Sequence, residues 1–335
     1  MLGTIAVIGA GSWGTALAIL LARKGFRVNL WARRREVVAE LEEIKENKAY
    51  LPGVKLPAGI RPTIDLQAAT RDADLVVLSV PSHAVRLTAR QVKPFLPPGT
   101  IVVNTAKGLE LDTKKRLSEV LAEEGFTRVA VLSGPSHAEE VGRGLPTTVV
   151  VAAADRNVAE YVQDIFMDPT FRVYTNPDVT GVEYGGALKN IIALATGIAD
   201  GLGLGDNARA ALMTRGMAEI ARLGVALGGK AMTFAGLSGI GDLIVTCTSM
   251  YSRNRRAGMQ LGEGKALAEV LSGMGMVVEG VRTTAAAREL ARQYQIRMPI
   301  TEEIYQVLYA GKPARDCVAA LMERPRTHEV ETGLW

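Results

Sequence analysis

Cysteine and histidine are scarce in this chain: of 335 residues, two are cysteine and three are histidine. With only Cys247 and Cys317, a disulfide-stapled secreted scaffold and a four-cysteine zinc site are excluded. His83, His137 and His328 stand far apart, which leaves little basis for a histidine metal site or a Ser-His-Asp triad. Aromatic residues make up 5% of the chain, too few for base-stacking platforms. Lys and Arg number 39 against 35 Asp and Glu, a net charge of +4. That balance does not fit a nucleic-acid-binding surface and points to local sites for small anions. No apolar run approaches the roughly 18–20 residues that span a bilayer. The apolar N-terminus lacks a basic stretch and is punctuated by Gly9, Gly11 and Gly14, so it reads as folded structure and not as a signal peptide. The expected location is the cytoplasm.

What the chain does contain is an ordinary globular mixture, 48% hydrophobic and 22% charged. At roughly 100–200 residues per domain, its length predicts two domains. The first half alternates apolar runs with helical periodicity. Thr4–Ile8, Arg27–Trp31, Leu75–Val80, Thr100–Asn104, Val129–Ser133 and Thr147–Ala152 read as strands. Ser12–Lys24, Arg35 to about Glu46, and Thr113–Glu124 read as helices between them. Continuously apolar strands alternating with helices predict an α/β fold with a parallel, doubly wound, Rossmann-like sheet. After about Thr180 the β-branched runs stop, and Tyr184–Leu202, Asn207–Leu227, Ala257–Gln260, Thr283–Tyr294 and Thr301–Leu308 read as helices. Asn176-Pro177-Asp178 marks the break. The expected division is a dinucleotide-binding domain over 1–180 and an all-helical substrate and catalytic domain over 181–335. A loose polar tail is expected after about Pro325, with Trp335 at its end available to pack.

Gly9-Ala10-Gly11-Ser12-Trp13-Gly14 is a G-x-G-x-x-G run between an apolar strand and an Ala-Leu-rich helix. The first glycine permits the tight turn, the second lets backbone approach a pyrophosphate, and the third lets helix and strand pack closely. The helix N-terminus adds free N–H groups and a positive dipole. A purely structural turn is the alternative. The fingerprint calls for a carboxylate at the end of the second strand to hold a ribose 2′-hydroxyl. Here Arg33, Arg34 and Arg35 follow that strand, and Glu36 lies too deep in the next turn. Guanidinium groups hold a 2′-phosphate and a carboxylate repels it, so NADP is expected over NAD. The alternative is that one or two of these arginines simply form an exposed first helical turn.

Lys107 follows the strand ending at Asn104, on the side where doubly wound folds bind ligands, although a solvated loop lysine has the same address. Gly134, Ser136 and Ala138 lie in Ser133-Gly134-Pro135-Ser136-His137-Ala138 after the next strand, a segment suited to phosphate or carbonyl oxygens; Ser136 could equally be a helix N-cap. Lys189 sits in a strongly apolar helix opened by Gly185-Gly186. Burial and a like charge such as Lys107 lower a lysine pKa, which makes Lys189 a candidate general acid/base; a lysine that snorkels to water is the alternative. Asn190 faces another side and reads as structural. Asp242 is a lone carboxylate in an apolar, Gly-rich segment and is expected to pair with a cation or a substrate hydroxyl. Ser252-Arg253-Asn254 starts a helix with hydroxyl, guanidinium and amide donors, a phosphate-binding arrangement unless it is only a solvated charge run. Gly273-Met274-Gly275-Met276 reads as a flexible loop, and both cysteines as core.

Together these motifs have the order and spacing of one family. Through Gly9–Ala16, Ala106–Glu110, Leu132–Ser136, Ala187–Asn190 and Ser252–Asn254, the chain resembles bacterial NAD(P)-dependent glycerol-3-phosphate dehydrogenase up to about residue 325. The resemblance implies reversible reduction of dihydroxyacetone phosphate to sn-glycerol 3-phosphate, feeding glycerophospholipid synthesis. It implies that Lys189 exchanges the proton and that Lys107, Gly134, Ser136, Asp242, Ser252, Arg253 and Asn254 meet the substrate. It further implies nucleotide contacts from Ser12, Trp13, Arg33, Arg34, Lys107, Ala138, Arg253, Val277 and Glu279, and it implies a homodimer and inhibition by product. Relatives often carry another residue at Arg33, which bears on cofactor preference. The competing readings are another two-domain reductase, of 3-hydroxyacyl-CoA or 6-phosphogluconate type, and a nucleotide sensor without catalysis.

Overall fold

A computed structural model describes residues 2–326, 328 and 329, so Trp335 and most of the expected polar tail lie outside the described residues. The first part comprises β1 (Thr4–Ile8), α1 (Ser12–Arg23), β2 (Arg27–Trp31), α2 (Arg35–Glu43), β3 (Glu46–Asn47), β4 (Leu51–Lys55), β5 (Ile60–Thr63), α3 (Leu66–Thr70), β6 (Leu75–Leu78), α4 (Val85–Val92), β7 (Ile101–Asn104), α5 (Leu117–Glu123), β8 (Val129–Ser133), α6 (Ala138–Arg143), β9 (Thr147–Ala152), α7 (Arg156–Phe166) and β10 (Phe171–Asn176). The helical part follows with α8 (Val179–Gly201), α9 (Gly205–Ala226), α10 (Ala231–Phe234), α11 (Asp242–Thr248), α12 (Arg253–Gly262), α13 (Leu267–Met274), α14 (Glu279–Gln293), α15 (Pro299–Tyr309) and α16 (Ala314–Met322).

The main sheet has eight strands in the order β10-β9-β8-β7-β6-β1-β2-β5. All of β1 and all of β6 are buried, as strands covered on both faces require. The sheet is mixed and not wholly parallel: β9 runs antiparallel to β8, with Val131 opposite Ala152, and β10 then follows β9 in parallel. The short helix α6 ends at Gly144, whose left-handed φ of 77° turns the chain back instead of carrying it over to a parallel strand. The two edge strands β5 and β10 escape a reading by periodicity, because their exposed faces break the apolar runs. Two helices are shorter than expected. Lys45 adopts φ 55° and Glu46 joins β3, which stops α2 at Glu43. Lys114 adopts φ 60° beside a Leu109–Arg116 bridge, so α5 starts only at Leu117, with Arg116 as its cap and Glu119 completing the capping box.

In the helical part α8 is the axis, buried from Gly181 to Ala199. It begins at Val179, capped by Asp178, whose carboxylate accepts from the Gly181 N–H; Lys189 therefore lies well inside the helix and not at its start. Helix α12 packs on α8 at backbone contact. A Cβ on Gly197 would stand 2.1 Å from the Arg255 carbonyl oxygen, and one on Gly258 would stand 2.3 Å from that of Leu194. This close approach sets the N-terminus of α12 beside the Lys189 region. Ala231–Thr248 is apolar and long enough to cross a membrane by length and composition, unlike the expectation from the sequence. It is broken at Gly239, where φ −99° and ψ −105° leave the helical range. Cys247 and Cys317 are buried, as expected.

Candidate active site

The carboxyl ends of β1, β6, β7 and β8 carry the loops that face the helical part. After β1, Gly9 takes φ 118°, where a Cβ would lie 2.4 Å from the Ser79 carbonyl oxygen. At Gly14 a Cβ would lie 1.9 Å from the Gly9 carbonyl oxygen, whereas at Gly11 it would meet nothing within 4 Å. The turn is therefore tight at its first and third glycines and open at its second. Helix α1 starts with no side-chain cap and no acid in its first turn, leaving N–H groups for an anion. Arg33 and Arg34 are exposed just beyond β2, and Arg34 donates to the Tyr50 hydroxyl at 2.9 Å. These features fit a dinucleotide. Sequence reasoning misses Tyr50, and also Asn47, whose amide donates to the Ala10 carbonyl and to Thr15 Oγ1 at 3.0 and 2.8 Å. Neither residue belongs to a periodic pattern that would flag it. Trp13 packs at the edge of the sheet's core, and Ala138 is buried at the start of α6.

Lys189 is the centre of the arrangement. Its ammonium donates to Asp242 Oδ1 and to Thr246 Oγ1, both at 2.5 Å. Lys107 donates to the other oxygen of Asp242 at 2.7 Å and to the Gly134 carbonyl at 2.9 Å. One carboxylate thus bridges two lysines, consistent with the expectation that Asp242 pairs with a cation. Burial lowers the Lys189 pKa to about 8; Asp242 opposes the shift, and the Lys107 charge adds to it. The side chain does not snorkel, being 6% exposed. Thr246 escapes the sequence reading. Its signal is the four-residue spacing from Asp242, which puts both on one face of α11; the Thr246 hydroxyl donates back to the Asp242 carbonyl at 2.6 Å. Ser136 is not the cap of α6: its hydroxyl donates to the Gly134 carbonyl, and His137 occupies the cap position without a side-chain bond. Burial, with the nearby Lys189 charge, holds the His137 pKa down to about 4, so this imidazole is neutral.

Ser252 caps α12 by accepting from the Arg255 N–H at 3.2 Å, and the N–H groups of Arg253 and Asn254 ahead of it have no acceptor within the helix. Arg253 is the first helical residue; burial works against its charge, and Glu279 and Glu139 support it. Behind it, Arg255 joins Asp200 to the Thr248 carbonyl and so holds the loop before the helix. Asn254 is engaged at both polar ends. Its amide donates to Asn190 Oδ1, and its oxygen accepts from the Gly280 N–H, each at 2.9 Å. One amide N–H and one lone pair of the side chain are left for any substrate contact. Asn190 accepts from Asn254 and donates to the Gly186 carbonyl at 3.5 Å. Gly273 and Met274 are not loop but the end of α13, closed by Gly275 at φ 62°. Met276 and Val277 are half-buried, with Met276 Sδ 3.8 Å from the Ser12 hydroxyl, and Glu279 accepts from Ser82.

The models of the N-terminal and C-terminal portions of NAD-dependent glycerol-3-phosphate dehydrogenase match residues 4–159 and 178–319. The chain belongs to this family. A glycerol-3-phosphate dehydrogenase [NAD(P)+] of Moorella thermoacetica is 81% identical over 332 residues, covering 99% of both chains. The Desulfitobacterium hafniense protein of the same name is 61% identical, over 98% of this chain and 93% of its own. Among solved structures, glycerol-3-phosphate dehydrogenase of Coxiella burnetii superposes with a TM-score of 0.93 at 41% identity, covering 96% of this chain and 99% of its own. A ketopantoate reductase of Ralstonia eutropha shares the fold at 18% identity and a TM-score of 0.61. As a member of the glycerol-3-phosphate dehydrogenase family, the chain carries the two-part architecture of its relatives.

Proposed function

We infer that this chain reversibly reduces dihydroxyacetone phosphate to sn-glycerol 3-phosphate with NADPH or NADH, supplying glycerophospholipid synthesis. The observation that carries the reading is the buried Lys189 ammonium, bonded to Asp242 and Thr246 and linked through Asp242 to Lys107. When bound, the nicotinamide supplies or accepts hydride at the substrate carbon. Lys189 donates its proton to the ketone oxygen as charge develops there, and takes it back in the reverse direction. Asp242 keeps the ammonium charged and aimed, and Thr246 restricts its position. Lys107 lies at the mouth of the same carboxylate, where it orients and polarises the carbonyl. Arg253 and the N–H groups of α12 hold the phosphate, aided by Ser252, Asn254, Gly134 and Ser136, so that binding energy far from the reacting carbon positions it.

Ser12, Trp13, Arg33, Arg34, Ala138, Val277 and Glu279 form the nucleotide side, with NADP preferred through the two arginines. In this reading residues 1–180 hold the dinucleotide and 181–335 bring the acid and the phosphate site. We further propose a cytoplasmic homodimer, which sedimentation of the purified chain would test. The deciding assay follows oxidation of NADPH and of NADH with and without dihydroxyacetone phosphate. Oxidation that depends on dihydroxyacetone phosphate is expected, and its absence with both cofactors would remove the reading.

A further inference from the structure

Ser82 lies in the single turn after β6, between the fingerprint strand β1 and the Lys107 strand β7. It is 4% exposed, and both of its donors meet one carboxylate from the helical part. Its N–H donates to Glu279 Oε1 at 3.0 Å and its hydroxyl to Glu279 Oε2 at 2.7 Å. The pair packs on the backbone that follows Lys107: a Cβ on Gly108 would stand 2.8 Å from Ser82 Cβ and 3.3 Å from Glu279 Oε2. The next residue, Gly280, is tied through Asn254 to Asn190, the neighbour of Lys189. The first part of the chain thus holds the Glu279 carboxylate through Ser82, while the helical part holds the adjoining Gly280 backbone.

A glutamate has free rotation about three side-chain bonds, and a carboxylate next to a site for a polyanion repels it unless its oxygens are directed elsewhere. Two donors on two oxygens remove that freedom and leave the remaining lone pairs pointing in a set direction. Ribose hydroxyls are the donors that such a carboxylate suits in a dinucleotide site. We propose that Ser82 is a positioning residue for the dinucleotide, orienting Glu279 toward a ribose hydroxyl and holding the start of α14 over the crevice. This rests on the reading of the crevice as an NAD(P)H site.

The test is a double-mutant cycle on the full-length chain, with NADPH affinity read by fluorescence and steady-state kinetics alongside. Ser82→Ala and Glu279→Ala should each raise the NADPH dissociation constant and KM about tenfold, the scale of one charged hydrogen bond. The turnover at saturating NADPH should fall less than about threefold, because Lys189 and Asp242 are untouched. The double variant should bind no worse than Glu279→Ala alone. Additive losses, or normal affinity in either single variant, would overturn the role of Ser82. If Ser82→Ala fails to melt cooperatively, Ser82→Gly, which also lacks the hydroxyl, takes its place in the cycle. A wild-type chain that binds no NADPH would instead overturn the functional reading beneath it.

Discussion

Lys189 and Asp242 form an ion pair of 2.5 Å in which the side chains are 6% and 1% exposed. Two charges this far from water bear a desolvation penalty that their attraction offsets only in part, and well-packed apolar residues are often no worse for stability. Leu188, Ile191 and Ile192 of the same helix α8 are all buried, so Lys189 is carried in the core, where its ammonium meets Asp242 and Thr246. In the proposed function the pair serves proton transfer, with Asp242 holding the cation for a ketone oxygen.

Replacing the acid should abolish turnover without abolishing cofactor binding. General acid–base groups contribute roughly 10²–10⁴-fold, so Lys189→Ala should lower kcat by at least about that much. Lys189→Arg should restore little, since guanidinium holds its proton. Turnover at saturating cofactor, paired with NADPH affinity, separates the outcomes: near-normal turnover would pass the acid role to Lys107, and lost NADPH binding would make Lys189 structural.

The pH profile has a definite sign. The Lys189 pKa, lowered to about 8 by burial, means that the ammonium is lost as pH rises through that value. Ketone reduction needs the proton and should slow above about pH 8, while oxidation of sn-glycerol 3-phosphate needs the neutral amine and should quicken over the same interval. Asp242 raises this pKa, so Asp242→Asn should move both limbs to lower pH. Limbs that moved upward, or stayed in place, would count against the assignment.

The glycines of the first turn should separate folding from binding. A methyl group on Gly14 would stand 1.9 Å from a backbone oxygen, so Gly14→Ala should cost about 1–3 kcal/mol of stability or more and lower the melting temperature. Gly11 has open space, so Gly11→Ala should melt like the wild type yet bind NADPH more weakly, because the added group enters the volume left for the pyrophosphate. Equal melting temperatures, or equal affinities, would contradict this division.

Cofactor choice should follow the arginines beyond β2. Alanine at both Arg33 and Arg34 should raise the KM for NADPH much more than that for NADH, since only the former carries a 2′-phosphate for a guanidinium to hold. Part of any loss would pass through Tyr50, to which Arg34 donates, so Tyr50→Phe should show a smaller change in the same direction. Matching effects on the two cofactors would remove the 2′-phosphate assignment.

Features set by neighbours along the chain are legible in the sequence by itself. The apolar strand, glycine turn and helix around Gly9, the break near Pro177, the helix start at Ser252-Arg253-Asn254 and the conspicuous Lys189 are all local, because propensity and burial periodicity act within a few residues. Helix boundaries escape that reading where one residue leaves the expected conformation, as at Lys45 and Lys114, since a positive φ in a polar residue has no strong local signal.

Packing alone settled the rest. The reversal of β9 against β8 depends on which edge of the sheet was free, and alternating apolar runs read the same in either direction. The partners of Lys189 lie 53 and 57 residues away, and Ser82 and Glu279 are 197 apart. Asn254, with a substrate-like address in its motif, turns its side chain to Asn190 and Gly280, which lie 64 and 26 residues away in the chain. Residue types can nominate a lysine for chemistry, but its charge and aim come from groups that only three-dimensional packing brings within hydrogen-bond reach.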